Sequence, residues 1–241
     1  MPRSTAAGVS LVVALLLILT GCASPSPIAS PSAPSAASNP TPTGAEGSEP
    51  AIATIVVRPE HLDLQDASGA VVQTLSYDLT AGEIVSALSV AFGGEPVVEE
   101  YLGHCCESRP ATVYRWDRFQ VRDDHMGRFA DEDPSVWIPD DGPDYADMNL
   151  LVRVAGPEAR GVAITTTPGF EVGGDLEELA AGLGQPYPDG PFVEIAVETG
   201  PELGPPEIEG KVNAYSVVVQ APGSESEVQI SAPVNIGVGR V

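Results

Sequence analysis

The sequence predicts an α+β body, mainly antiparallel sheet with one short helix in each half. Three observations lead there. From Ala51 onward, short runs rich in Val, Ile, Thr and aromatic residues alternate with Gly, Pro and Asp turns. Only two stretches place apolar residues at helical spacing between start and stop signals. Many strands with few helices suit helices laid on one face of antiparallel sheet.

The first half opens with Ile52–Arg58, His61–Gln65 and Ala70–Tyr77, the last two separated by the turn Asp66-Ala67-Ser68-Gly69. Together they predict a small antiparallel meander. Thr80 then starts a helix. Thr80-x-x-Glu83 is a capping box, in which the hydroxyl meets one free N–H and the carboxylate reaches back to another. Ile84, Val85, Leu88 and Phe92 share one helical face, and Gly93, Gly94 and Pro96 end it. Val97–Tyr101 and Ala111–Arg122 read as further strands.

In the second half, Met148–Ala155 and Gly161–Thr167 flank a turn at Gly156-Pro157. A second helix follows Asp175, with Leu176, Leu179, Ala180 and Leu183 on one face, and stops at Gly184 and Pro186. Phe192–Glu198, Val212–Gln220 and Glu227–Ser231 complete the strands. Shifting the first helix by 91 positions sets Gly82 on Gly173, Leu88 on Leu179 and Gly93 on Gly184. Duplication and two unrelated helices obeying the same stop rules both fit. The resulting organisation is a first α+β module at 51–122, an acidic loop at 123–147 and a second module at 148–241, with one sheet shared by both as a further arrangement.

The N-terminus has another character. Arg3 is followed by the apolar run Leu11–Leu19 and then by Leu19-Thr20-Gly21-Cys22. Nine apolar residues suit a signal peptide and fall short of the ~20 a spanning helix needs. This resembles the bacterial lipobox, and the match covers the first 22 residues. The resemblance implies a signal peptide at 1–21, cleavage before Cys22, and acyl chains on Cys22 that hold the protein at the outer face of the cell membrane after general export. Two acyl chains anchor firmly where one binds marginally. Residues 22–50 are the lipidated Cys and a tether. Positions 23–50 hold seven Pro, seven Ser and six Ala, so nothing there can bury a face. The tether's reach is about 30 Å coiled and about 85 Å as polyproline II. The lipobox, the Ser/Pro/Ala tether, the single lysine (Lys211) and the one helix per half together resemble, in style, two-module lipoproteins of high-GC Gram-positive bacteria. No motif in the body is specific enough to carry an activity across.

Charge narrows the partners. The chain has 34 acids and 11 bases. Every acid lies at or after Glu46, so cleavage leaves 34 acids against 10 bases, a net of −24. Such a field opposes nucleic acid and favours cationic partners, divalent ions or plain solubility.

Several residues are candidates for chemistry, each with a plainer reading beside it. Cys105 and Cys106 are adjacent, flanked by His104 and Glu107. In an oxidising compartment they are expected as a strained vicinal disulfide or a capped pair, with intermolecular bridging, redox exchange and metal binding as alternatives. Adjacent ligands do not readily span a tetrahedral shell, and no metal site is assigned. The acids from Asp123 to Asp147 offer oxygen ligands to calcium, but Asp140-Asp141-Gly142 lacks the EF-hand alternation, which leaves a solvated loop as the simple reading. Tyr114, Trp116, Arg118 and Gln120 share one face of an uninterrupted strand, either as a recognition surface or as a covered sheet face. Trp137, between Pro134 and Pro139, is a further candidate anchor.

No Gly-x-Ser-x-Gly, His-Glu-x-x-His or Walker loop occurs, and no cofactor motif. The expected role is a non-catalytic binding or interaction module at the cell surface, with an envelope protein or the cell wall as partner. An envelope hydrolase and a structural spacer are the alternatives. A pocket joining His125, Asp124 and a serine would favour the hydrolase.

Overall fold

A computed structural model describes residues 51–103, 109–125, 127–129, 137–139, 150–190, 192–205, 209–210, 212–222 and 228–235. The expected signal peptide, Cys22, the tether, His104, Cys105, Cys106, Glu107 and most of the acidic loop lie outside these residues.

The first meander forms as its alternation predicts. β1 (Thr54–Val57), β2 (His61–Gln65) and β3 (Val71–Ser76) pair antiparallel in order. Ile55, Val57, Leu62, Leu64 and Leu75 point to the core, while Thr54, His61 and Thr74 sit at or near the surface. In the turn after β2, the Asp66 carboxylate accepts from Ser68 N–H, Ser68 Oγ and Ala70 N–H. Those bonds, the Ser68 hydroxyl foremost, hold Asp66 below the usual carboxylate range.

α1 (Ala81–Ala91) begins with the full capping box: Thr80 Oγ1 accepts from Glu83 N–H, and Glu83 accepts from Thr80 N–H. Ile84 and Leu88 are buried as expected, and Phe92 forms the C-cap. Gly93 N–H reaches Val90 O and Gly94 N–H reaches Ser89 O, with Gly93 at φ 67°, so a left-handed residue closes the helix. α2 (Leu176–Gly182) ends identically, with Gly184 N–H on Ala181 O and Gln185 N–H on Ala180 O. Its start differs: Asp175 accepts from Glu177 and Glu178 N–H with no reciprocal bond.

Between the helices lie β4 (Val97–Tyr101), β5 (Ala111–Trp116), β6 (Phe119–Asp124), β7 (Gly127–Phe129), β8 (Trp137–Pro139), β9 (Leu150–Val154), β10 (Glu158–Ala159) and β11 (Val162–Thr166). After α2 come β12 (Phe192–Gly204), β13 (Asn213–Pro222) and β14 (Gln229–Asn235). Ala111–Arg122 is therefore a hairpin, not one strand. Trp116 pairs with Phe119 across a two-residue turn in which Asp117 takes φ 52°. Asp tolerates that conformation, but Asp-Arg lacks the Asn-Gly or Asp-Gly signal that announces such a turn.

The strands form a five-stranded sheet, β10-β11-β1-β2-β3, and a seven-stranded sheet, β12-β13-β14-β9-β6-β5-β4, with β7 and β8 as a separate pair. All pairings are antiparallel except β1 with β11. The fold is α+β, mainly antiparallel, with one helix in each half. Strands of both halves meet in both sheets, through β1–β11 and β6–β9, so two sheets are shared where the sequence suggested one. The order of three strands, a helix and three strands occurs twice, yet β1 lies in one sheet and β9 in the other.

One core gathers the inner faces of both sheets and both helices. At its centre Phe92 makes tilted ring contacts with Trp116 and Phe119, with centroids 5.4 and 5.3 Å apart. Trp116 is fully buried and donates its Nε1–H to Gly94 O at 2.9 Å. The turns beside it are tied together: Asp117 accepts from Arg160 N–H, and Arg118 Nη1 donates to Ala155 O. Arg160 itself has φ 48°, in a left-handed turn whose N–H Asp117 satisfies.

Candidate functional site: an open sheet edge

Val97-Val98-Glu99-Glu100-Tyr101 forms β4, which among the described residues is the outermost strand of the seven-stranded sheet. Each of its residues is exposed, Val97 at 59% and Val98 at 53%, and Leu102 beyond it at 85%. Pairing with β5 sets Val98 beside Tyr114, Glu99 beside Val113 and Glu100 beside Thr112. The next strands extend these rows. Val98, Tyr114, Val121 and Val152 share the core-side face, and exposure falls along them as the sheet interior is approached. Val97, Arg115, Gln120 and Arg153 lie on the opposite face.

Polar groups brace this edge from both faces. On the outer face, Arg115 Nη2 donates to Glu99 at 3.0 Å, while Arg115 Nε is buried without a hydrogen-bond partner. Arg122 donates to Asp124 at 2.6 Å and to Arg109 O at 2.8 Å, and its guanidinium lies 5.0 Å from the Tyr101 ring centroid. On the core side, Thr112 Oγ1 donates to Glu100, with both carboxylate oxygens at 3.2 Å, and lies 3.1 Å from His125 Nε2. Burial raises Asp123 above the usual carboxylate range, opposed by His125 and assisted by Asp124 and Glu100. Burial likewise raises the Tyr114 phenol, with Asp123 and Glu100 adding to the shift.

The sequence-based candidates scatter. Tyr114 is half-buried just inside the edge, whereas Trp116 belongs to the core and Arg118 to the turn after it. They form no common face, because the turn at Asp117 ends the alternation that would have aligned them; the covered-face reading holds for Trp116. Trp137 pairs with Phe129 in the β7–β8 hairpin. Asp123 and Asp124 end β6 on opposite faces, so the acids at the start of the expected loop are strand residues. Asp124 is engaged by Arg122 and His125 by Thr112, and among the described residues no serine joins them. Among the described residues no three His, Cys, Asp or Glu are placed to hold a metal ion, and no helix is long and apolar enough to cross a membrane.

Two other features were hidden in the sequence. Arg58 meets Glu198, 140 residues away, at 2.8–3.1 Å, and Asp63 at 3.5 Å; Thr74 donates to Asp63, His61 lies 3.4 Å from it, and Thr167 bonds Glu198. A β-bulge between Ala196 and Glu198 sets the register that brings Glu198 there. The network clamps the two sheets together, with Arg58 held between the Glu198 and Asp63 carboxylates. Beside α2 an open depression of about 790 Å³ is lined by Phe170, Val172, Leu179 and Leu183, with Glu171 and Glu178 as acids. Asp175, also on its wall, is committed to capping α2.

No local pattern distinguishes Val97–Tyr101 from an interior strand. Edge position is a property of pairing, and the absence of a neighbour leaves no trace in the strand itself. The chain matches no protein-family model, no curated protein and no solved structure.

Proposed function

We propose that this chain is a non-catalytic binding module, held at the outer face of a cell membrane by acyl chains on Cys22 and set off from it by the 22–50 tether. The observation that carries the binding role is the exposed β4 edge, with Val97, Val98 and Leu102 open to solvent. Exposed apolar residues gathered at one edge mark interaction sites more often than chance surface does. The lipobox and the tether composition support the address. An envelope hydrolase needs a base poised toward a nucleophile. Among the described residues the imidazole bonded to a hydroxyl is His125, on Thr112, and that hydroxyl also meets both oxygens of Glu100. A spacer would have no use for an open apolar edge.

The test is site-specific photo-crosslinking on intact cells, with the reactive side chain at Val98 and a control at Val90, an α1 residue that is 74% exposed. A discrete adduct is expected at Val98 and not at Val90, together with fatty-acid labelling of wild type that is lost in Cys22→Ala. Equal adducts at both positions, or none at Val98, remove the binding role. An unlabelled wild-type chain removes the anchor.

A further inference from the structure

We infer that the β4 edge takes an extended segment of basic and apolar residues as an eighth strand; this rests on the binding-module reading and names its partner's chemistry. Among the described residues the two large sheets have four edges, and three are blunted. β10 has two residues, the β2–β3 pairing is bulged between Leu64 and Gln65, and β12 carries three register shifts. β4 alone pairs with its neighbour in unbroken register over five residues. It contains no proline and no lysine, two of the devices that discourage strand addition. Its outer main-chain groups are a template for hydrogen bonding to an incoming strand.

Charge then selects the occupant. A second copy would pair antiparallel about a two-fold axis. Centred at Glu99 or Glu100, a glutamate opposes its own counterpart; centred between them, the two carboxylates oppose each other; centred at Val98, Glu99 meets Val97 and no basic residue faces it. Like charges directly opposite destabilise a pair, and two cleaved chains of net charge −24 (10 bases against 34 acids) repel at longer range. The chain's own tether is excluded differently. Residues 23–50 contain seven prolines, which lack the N–H donor, and no Lys or Arg to face the glutamates. What fits is a strand whose Lys or Arg residues lie opposite Glu99 and Glu100, with β-branched or aromatic residues opposite Val97 and Val98. The acidic field of the whole chain draws such a segment in.

The experiment uses the full lipidated chain in nonionic detergent and three fluorescent nine-residue peptides. One carries two adjacent Lys between pairs of Val, the order that meets Val97-Val98-Glu99-Glu100. The second has Glu for each Lys. The third keeps the Lys content but carries Pro at alternate positions. Anisotropy measures binding, and hydrogen exchange reads the amides of residues 97–101. The Lys/Val peptide is expected to bind and slow exchange there. The proline peptide should bind at least about tenfold more weakly, because it cannot extend the ladder. Glu99→Gln with Glu100→Gln should lower affinity about five- to tenfold, as should raising salt from 50 to 300 mM. Equal binding of the proline peptide overturns strand addition. Equal binding of the Glu peptide overturns the basic partner while leaving the binding module standing. Absence of binding by all three, with unchanged exchange, overturns the inference, and the cellular cross-link at Val98 then decides the binding role separately.

Discussion

Trp116→Phe tests the centre of the fold. The indole is fully buried, packs on Phe92 and Phe119, and gives its N–H to the Gly94 carbonyl at 2.9 Å. Phenylalanine keeps a ring in place but removes the donor and part of the ring system. A buried carbonyl deprived of its donor costs about 1–2 kcal/mol. The lost apolar volume, worth two to three methylene-sized groups, adds about 2 kcal/mol. The expected loss is therefore about 3–4 kcal/mol, within the 5–15 kcal/mol typical of a domain, so the variant should still fold. At about 3 °C per kcal/mol for a body of this size, Tm should fall by about 10 °C. Far-UV circular dichroism is the assay, since it does not depend on the residue replaced. A fall below about 3 °C would mean that Gly94 O is satisfied by water in the variant, and that the cluster joining α1 to the β5–β6 hairpin is not the dry core described above.

Three further outcomes follow from the same geometry. Arg58→Met leaves the partly buried Glu198 and Asp63 carboxylates facing one another without their cation; a loss of about 2 kcal/mol is expected, between the values for exposed and buried pairs, and urea unfolding measures it. Thr80→Ala removes the α1 cap and should cost about 1 kcal/mol. Because Thr80 bonds hold Glu83 below the usual carboxylate range, the contribution of Glu83 is present above its unfolded pKa and is lost as pH falls through the depressed folded value, so the wild-type advantage over Thr80→Ala should shrink in acid. Asp123 has the opposite sign: its raised folded pKa means the native state holds the proton longer than the unfolded chain, so stability falls as pH rises from the ordinary Asp range through the raised value. Asp123→Asn should thus raise Tm at pH 7 relative to wild type, with the gain vanishing below pH 4, and an unchanged gain across that range would refute the assignment.

The open edge was partly legible. Val97–Tyr101 was expected as a strand, and its five residues form one. That it lies outermost depends on β5 having β6 on its other side and on nothing described pairing beyond β4, facts about partners far along the chain. The Tyr114–Trp116–Arg118 face was misjudged for a local reason: a single Asp in the left-handed region turns the chain back, and its side chain is held by Arg160, 43 residues on.

The sequence by itself determined what depends on neighbours within a turn or two: the α+β class, the Thr80–Glu83 box, the glycine stops after Phe92 and Leu183, and the alternation that sets the inner faces of β1 and β2. Those are decided by local dihedrals, spacing and short-range hydrogen bonds. Tertiary structure alone decided the parallel joining of β1 to β11, the reach of Glu198 to Arg58, and which strand was left at the margin of its sheet. Such choices turn on loop closure and on burying two faces at once, and these energies are not carried by any short stretch of residues.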